Sequence, residues 1–315
     1  MLAIYNDNDE ALPSVFRAET VFHLVQSIII AARLPDQVRR IFSLDTTLRP
    51  AVDERALTEI GDVVFEERPK SLTGRASVII AGMTLYPFLG EGHDYFGPIL
   101  NRPLSLLWAF GRARQIVLLN EGRFSDAGPI RGRRNHIYYP SKWKLPFGYF
   151  VHSRNPCVVG AVFTETSAVP RPCLEPNIQE ILIDVEAELS SPGSSARAAL
   201  LSVFGHHISF NVSRFSSLVV LPFFDVLDDE TCGRISAFAL KHGLDRERTL
   251  FKLHPRTQVP SRRWQKPCYG LNVETGTYPI ELLLLLGHEF ERAYFIDTST
   301  NLKKIAKEKL FVETL

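Results

Sequence analysis

The chain predicts an α/β protein built from two Rossmann-like halves, and three stretches carry that reading. The first is an opening strand at residues 14–19, followed at once by a helix over residues 20–32 with Thr20 in the capping position. The second is Gln115-Ile-Val-Leu-Leu119, a nearly all-apolar run of the kind a parallel strand covered on both faces requires. The third is a renewed strand-and-helix series after residue 195, whose first strand is Ser217-Leu-Val-Val-Leu-Pro222.

Composition allows a full core: 315 residues are 45% hydrophobic and 23% charged, enough for one sizeable unit or two medium domains. Thirty-six basic and 35 acidic residues leave a net charge of +1, so no global field draws the chain to nucleic acid or to an anionic membrane. An anion site must therefore be local. Cys157, Cys173, Cys232 and Cys268 are widely spaced, with no C-x-x-C pair, and read as reduced thiols engaged mostly in packing. Residues 1–10 have no basic leader, and the longest apolar runs, residues 27–32 and 280–287, fall far short of the roughly 20 residues that span a bilayer. These features predict a cytoplasmic protein, at most peripheral on a membrane.

In the first half, residues 40–45, 62–66 and 77–82 are short β-branched or aromatic runs, residues 98–110 are helical in pattern, and the apolar strand ends on Asn120-Glu121-Gly122. Neither G-x-G-x-x-G after the first strand nor G-x-x-x-x-G-K-[ST] occurs, which removes the main support for dinucleotide or P-loop binding. Residues 128–146 mix Arg131, Arg133, Arg134 and Lys142 with Tyr138, Tyr139 and Trp143, a composition suited to a sugar acid, to a nucleic-acid strand or equally to a solvated loop. The proline-rich middle reads as a crossover. The predicted division is an N-terminal domain at 1–155, a linker at 156–195 and a C-terminal domain at 196–315. In the second half a helix at 196–204, the strand from Ser217 and a helix at 228–242 lead to a buried strand that stops on His254-Pro255. A helix at 278–287, a strand at 292–297 and a basic helix at 302–309 complete the series. The adjacent pair His206-His207 lacks acidic or cysteine partners at ligand spacing and reads as surface.

Strand ends are where open α/β sheets bind ligands, and His254 stands at one, between Lys252 and Arg256. A basic surface turn would look the same in isolation. Three short elements taken in order say more: Leu118-Leu-Asn-Glu-Gly122, Phe251-Lys-Leu-His-Pro-Arg256 and Asp297-Thr-Ser-Thr300, with Tyr278-Pro-Ile-Glu-Leu282 between the last two. In this the chain resembles the bacterial sialyltransferases of glycosyltransferase families 52 and 38, the lipooligosaccharide sialyltransferases and capsule polysialyltransferases. Those enzymes carry an acidic-acidic-Gly motif, a His-Pro motif, a Pro-x-Glu segment and a Ser-Ser/Thr motif in that order. The resemblance covers residues 14–309 and rests on the combination of motifs. It departs at the first acidic position, where this chain has Asn120.

The resemblance implies a GT-B architecture, two Rossmann-like domains facing across a cleft, and an inverting, metal-independent transfer of sialic acid from CMP-Neu5Ac to a glycan acceptor. Glu121 is then the base for the acceptor hydroxyl, and His254 the partner of the departing phosphate. Lys252, Pro255, Arg256, Glu281, Thr298, Ser299 and Thr300 would bind the CMP half, the last three through hydroxyls and helix-start N–H groups that could equally be plain caps. Asn120, Gly122, His23 and Arg131 fall on the acceptor side, although His23 reads first as a packed histidine. The expected partners are CMP-sialic acid and the acceptor glycan, with no nucleic acid, no metal and no cofactor. The same reading leaves room for a homodimer and for peripheral association with the inner face of the inner membrane. A CMP-Kdo-dependent transferase keeps the same site, and Asn120 raises a third reading, a catalytically silent glycan- or nucleotide-binding paralogue.

Overall fold

A computed structural model of the chain describes residues 12–67, 92–98, 113–119, 158–164, 178–205, 212–255, 257–260, 267–274, 276, 278–296, 302–313 and 315. The chain divides into two compact units, residues 1–185 with 193–203, and residues 186–192 with 204–315. Each unit is organised on its own all-parallel sheet.

The first sheet has seven strands in the order β3-β2-β1-β4-β5-β6-β7: β1 (Ser14–Ala18), β2 (Arg40–Asp45), β3 (Asp62–Glu66), β4 (His93–Gly97), β5 (Ala113–Leu118), β6 (Val158–Thr164) and β7 (Gln179–Ile183). Strand order reverses between β1 and β4, the doubly wound arrangement whose crevice opens at the strands' carboxyl ends. β1 and β4 are buried along their whole length, as strands covered on both faces must be. Register stacks Phe16 of β1 between Phe42 and Phe96, at ring separations of 5.3 and 4.9 Å, and this aromatic ladder pins three central strands together. Val15, Tyr95, Ile116, Leu118, Ala161 and Phe163 pack together on the alternate positions. Helix α1 (Val21–Ala31) follows β1, with the Thr20 hydroxyl accepting the His23 N–H at 3.2 Å, the cap that the sequence predicts. A short helix, α2 (Glu54–Thr58), is capped in the same way by Asp53.

Residues 158–164 and 179–183, which the sequence places in the crossover, form β6 and β7. The prolines that suggest a linker flank these strands and do not interrupt them. Helix α3 (Val185–Ser190) then belongs almost wholly to the second unit, where buried Glu186 accepts the Lys304 N–H at 2.8 Å. Helix α4 (Ser195–Phe204) belongs largely to the first, where Val203 accepts the Asp53 N–H at 2.9 Å.

The second sheet has five strands in the order β10-β9-β8-β11-β12: β8 (Ser217–Val220), β9 (Thr249–Lys252), β10 (Asn272–Glu274), β11 (Phe290–Ile296) and β12 (Ala306–Val312). The reversal point lies between β8 and β11. Helix α5 (Asp229–Lys241), capped by Asp228, lays Cys232, Ile235, Phe238 and Ala239 on a core with Val219, Phe251, Leu271, Tyr294 and Ile296.

Three expectations are corrected in this unit. The predicted basic helix at 302–309 gives way to β12, an edge strand whose Lys307, Glu308 and Lys309 are the charged residues that guard an exposed edge. The apolar run after Tyr278 is a 3-10 helix, Ile280–Leu286, closed by Gly287 in the left-handed conformation at φ 66°. Cys232 and Cys268, expected as free thiols, are joined in a disulfide, because α5 and the turn Pro267–Gly270 pack their buried side chains against each other across 36 residues of sequence.

Candidate functional site

The candidate residues of the second unit that the structure describes gather past the carboxyl ends of β8, β9 and β10. β9 ends at Lys252, and Pro255 in the following turn lacks the N–H that would extend the ladder. His254 is thereby held half-buried just beyond the strand, and its carbonyl accepts the Thr257 N–H at 2.9 Å. Its imidazole meets the Phe223 ring edge to face, with centroids 5.4 Å apart and planes inclined at 71°. Phe223 follows β8, the central strand at the reversal point, and is 51% exposed.

Lys252 points into the protein. Only 1% exposed, its ammonium donates to the carbonyls of Leu253 at 3.0 Å and Gly276 at 2.7 Å and lies 4.4 Å above the centre of the Tyr278 ring. Burial pushes the Lys252 amine down to about 8, against which the Glu274 and Glu281 carboxylates favour its charge. Gly276 is held in turn by its N–H donating to Glu274 Oε1 at 2.7 Å. A Cβ at Gly276 would come within 2.7 Å of Tyr278 Cδ1, so only glycine lets the ring pack there. Burial drives the Tyr278 hydroxyl well above its usual range, so the phenol stays neutral. Glu281, in the first turn of the 3-10 helix, is itself buried.

Glu281 and Lys252, both predicted on the donor side, are thus near enough for the carboxylate to favour the ammonium, and Lys252 stands two residues before His254. The ammonium that the sequence reading offered to a phosphate is spent on the protein's own carbonyls, where it ties the end of β9 to the segment after β10. Glu274, Gly276 and Phe223 escaped the sequence reading. The one available signal was the Pro222-Phe223-Phe224 sequence, an aromatic doublet just past a strand.

In the first unit, His23 is 1% exposed at the start of α1, and its Nδ1 accepts the Glu19 N–H at 3.4 Å, so the proton of the neutral ring sits on Nε2. Beside it β1 buries Arg17, which donates from Nη1 to Ser43 Oγ at 3.0 Å and Glu66 Oε2 at 3.3 Å and lies 3.9 Å from Glu19 Oε1. This ionic cluster joins the ends of β1, β2 and β3, and nothing in the local sequence announced it. Asn120, Glu121, Gly122, Arg131, Arg256, Thr298, Ser299 and Thr300 lie outside the described residues. β5 and β11, which precede the first three and the last three of these in sequence, end at Leu118 and Ile296. Among the described residues no three His, Cys, Asp or Glu side chains group as metal ligands, and no helix is long and apolar enough to cross a membrane.

No family model matches the chain, and no curated protein does. Solved structures do. An alpha/beta-galactoside alpha-2,3-sialyltransferase from the luminous marine bacterium Photobacterium phosphoreum superposes with a TM-score of 0.53 at 10% identity, covering 96% of this chain and 91% of that one. The GT-B domain of a sialyltransferase from Photobacterium damselae superposes with a TM-score of 0.51 at 11% identity, covering 94% of this chain and 89% of that one. Together with the two doubly wound parallel sheets, these likenesses define the class: the chain has the GT-B fold, two Rossmann-like units in succession. At such identities the likeness is one of architecture, and chemistry has to be argued from residues.

Proposed function

We propose that the protein is an inverting, metal-independent sialyltransferase that moves sialic acid from CMP-Neu5Ac to a surface glycan. The observation that carries this is the placement of His254 beyond β9 in a GT-B fold, next to the strand-order reversal of the second sheet. The order of Glu121, His254-Pro255, Glu281 and Thr298-Ser299-Thr300 along the chain supports the same reading.

In the reaction the acceptor hydroxyl oxygen attacks the anomeric carbon while the bond from that carbon to the phosphate oxygen breaks, and its electron pair leaves with CMP. Glu121 takes the hydroxyl proton, an effect worth about 10²–10⁴-fold in general-base catalysis. His254, as imidazolium, balances the charge that grows on the departing phosphate. Thr298, Ser299, Thr300 and Arg256 hold the phosphate, Glu281 accepts from the ribose or cytidine, and Lys252 with Pro255 fixes the backbone around His254. Asn120, Gly122, His23 and Arg131 belong to the acceptor half.

The deciding experiment is a donor and acceptor screen with linkage analysis of the product, run with and without EDTA. Transfer from CMP-Neu5Ac that survives chelation is expected. Transfer from CMP-Kdo alone would reassign the donor, and loss of activity on chelation would overturn the metal-free site. Asn120 favours a second reading, a silent CMP-binding paralogue: it requires CMP binding without turnover, and a Glu121→Gln change that alters nothing. Abolished transfer in Glu121→Gln with CMP affinity retained excludes it.

A further inference from the structure

Described residues after β8 and after β9 are tied together by hydrogen bonds. Leu221 N–H donates to Lys252 O at 3.0 Å, Phe224 N–H to Thr257 Oγ1 at 3.3 Å, Gln258 N–H to Asp225 O at 3.2 Å and Leu227 N–H to Gln258 O at 2.8 Å. Val226 and Gln258 add an isolated parallel bridge. Here the aromatic doublet splits: Phe224 turns inward onto the core, and Phe223 turns out, 51% exposed, against His254. The other large exposed aromatic among the described residues, Phe311, stacks on Phe295 at 5.3 Å on the edge strand β12. Phe223 alone of the two stands at a carboxyl strand end beside an imidazole.

We propose that Phe223 is a positioning residue for His254: its ring holds the imidazole in one orientation, and its open face is covered when a nucleotide sugar binds beside it. The edge-to-face contact narrows the side-chain torsions of both rings before substrate arrives, beside whatever else holds the imidazole. The inference rests on the reading that His254 meets the leaving phosphate, so its test keeps the two apart.

The experiment compares wild type, Phe223→Ala, Phe223→Tyr, His254→Ala and the Phe223→Ala/His254→Ala double variant. The readouts are turnover of CMP-sialic acid and the 15N-histidine NMR signal of His254, assigned by its loss in His254→Ala. Phe223→Ala should lower kcat about tenfold while donor KM moves less than about threefold, the scale expected of an edge-to-face ring pair acting on orientation. Phe223→Tyr should restore most of the rate. In the His254→Ala background Phe223→Ala should cost nothing further, because the two act as one unit. An unchanged kcat, a loss confined to KM, or losses that add would overturn the proposal. If no CMP-sugar is turned over, the proposed function falls, and the NMR signal still decides this inference. A His254 resonance displaced in Phe223→Ala and restored in Phe223→Tyr sustains it; one that stays in place overturns it. Should Phe223→Ala not fold, Phe223→Leu, which keeps apolar volume without the ring, is read by the same criteria.

Discussion

Lys252 shows how one residue type serves two readings that sequence alone does not separate. A lysine two places before a histidine at a strand end suits an anion, yet its ammonium spans 24 residues of sequence to the Gly276 carbonyl and lies over Tyr278. That contact is long-range, so no local pattern announces it, whereas His254-Pro255 is legible because proline acts on its immediate neighbours. A pH dependence follows. The amine is held at about 8 in the folded chain and stands at 10.5 when unperturbed, so between those values the unfolded chain binds more protons and stability rises with pH. Below about pH 8 both states carry the charge and the cost of burying it is constant. The stability of wild type relative to Lys252→Met should therefore be flat below pH 8 and climb towards pH 10.5, as chemical denaturation at a series of pH values measures. A difference that stays level throughout would mean that folding does not lower the pKa of this amine.

At the scale of elements, Glu274, Gly276 and Tyr278, between β10 and the 3-10 helix, make the cluster around Lys252. Gly276 receives the Glu274 cap, offers its carbonyl to Lys252 and leaves room for Tyr278, three functions that one Cβ would disturb. Gly276→Ala should weaken CMP binding, seen as a rise in calorimetric Kd, and lower Tm, because Tyr278 must give up its seat. The disulfide acts on the other end of the same strand. It ties α5 to the turn before β10, and Cys268 sits there at φ 48°, a left-handed conformation that non-glycine residues rarely adopt. Reduction, or Cys268→Ser, should destabilise the second unit by about 2–4 kcal/mol, the usual scale of a disulfide, as a denaturant titration with and without a dithiol shows. Unaltered stability would mean that the pairing contributes nothing in solution. Neither device was legible in the chain order: the cysteines are 36 residues apart, and the glycine's constraint comes from a ring two residues on. The β12 segment has a helical sequence pattern for a related reason. Lys and Glu favour helices by intrinsic propensity, and only pairing with β11 makes their run a strand.

Across the whole molecule the strand orders of the two sheets repeat: each begins from a central strand, adds two neighbours on one side and then reverses to the other. The sequence shows no internal repeat and does not give the strand orders; the two β/α halves were legible, because strand-then-capped-helix alternation is local and the all-apolar β5 carries its own signal. The membership of β6, β7 and α3 was not, since it depends on which surface each element covers and not on its own residues. The repeat also makes a prediction about where the nucleotide goes. His254, Glu281 and the Lys252 cluster all belong to the second unit, while the ionic cluster around Arg17 and His23 belongs to the first. A ligand that binds only the folded chain stabilises it by about 2.7 kcal/mol at 100 times its Kd. If CMP is held by the residues assigned here, the slowing of amide hydrogen exchange should concentrate after β8, β9 and β10 and leave β1, β2 and β3 at their unliganded rates. Protection centred on the Arg17 cluster would transfer the nucleotide to the first unit, and with it the roles given to His254 and Glu281.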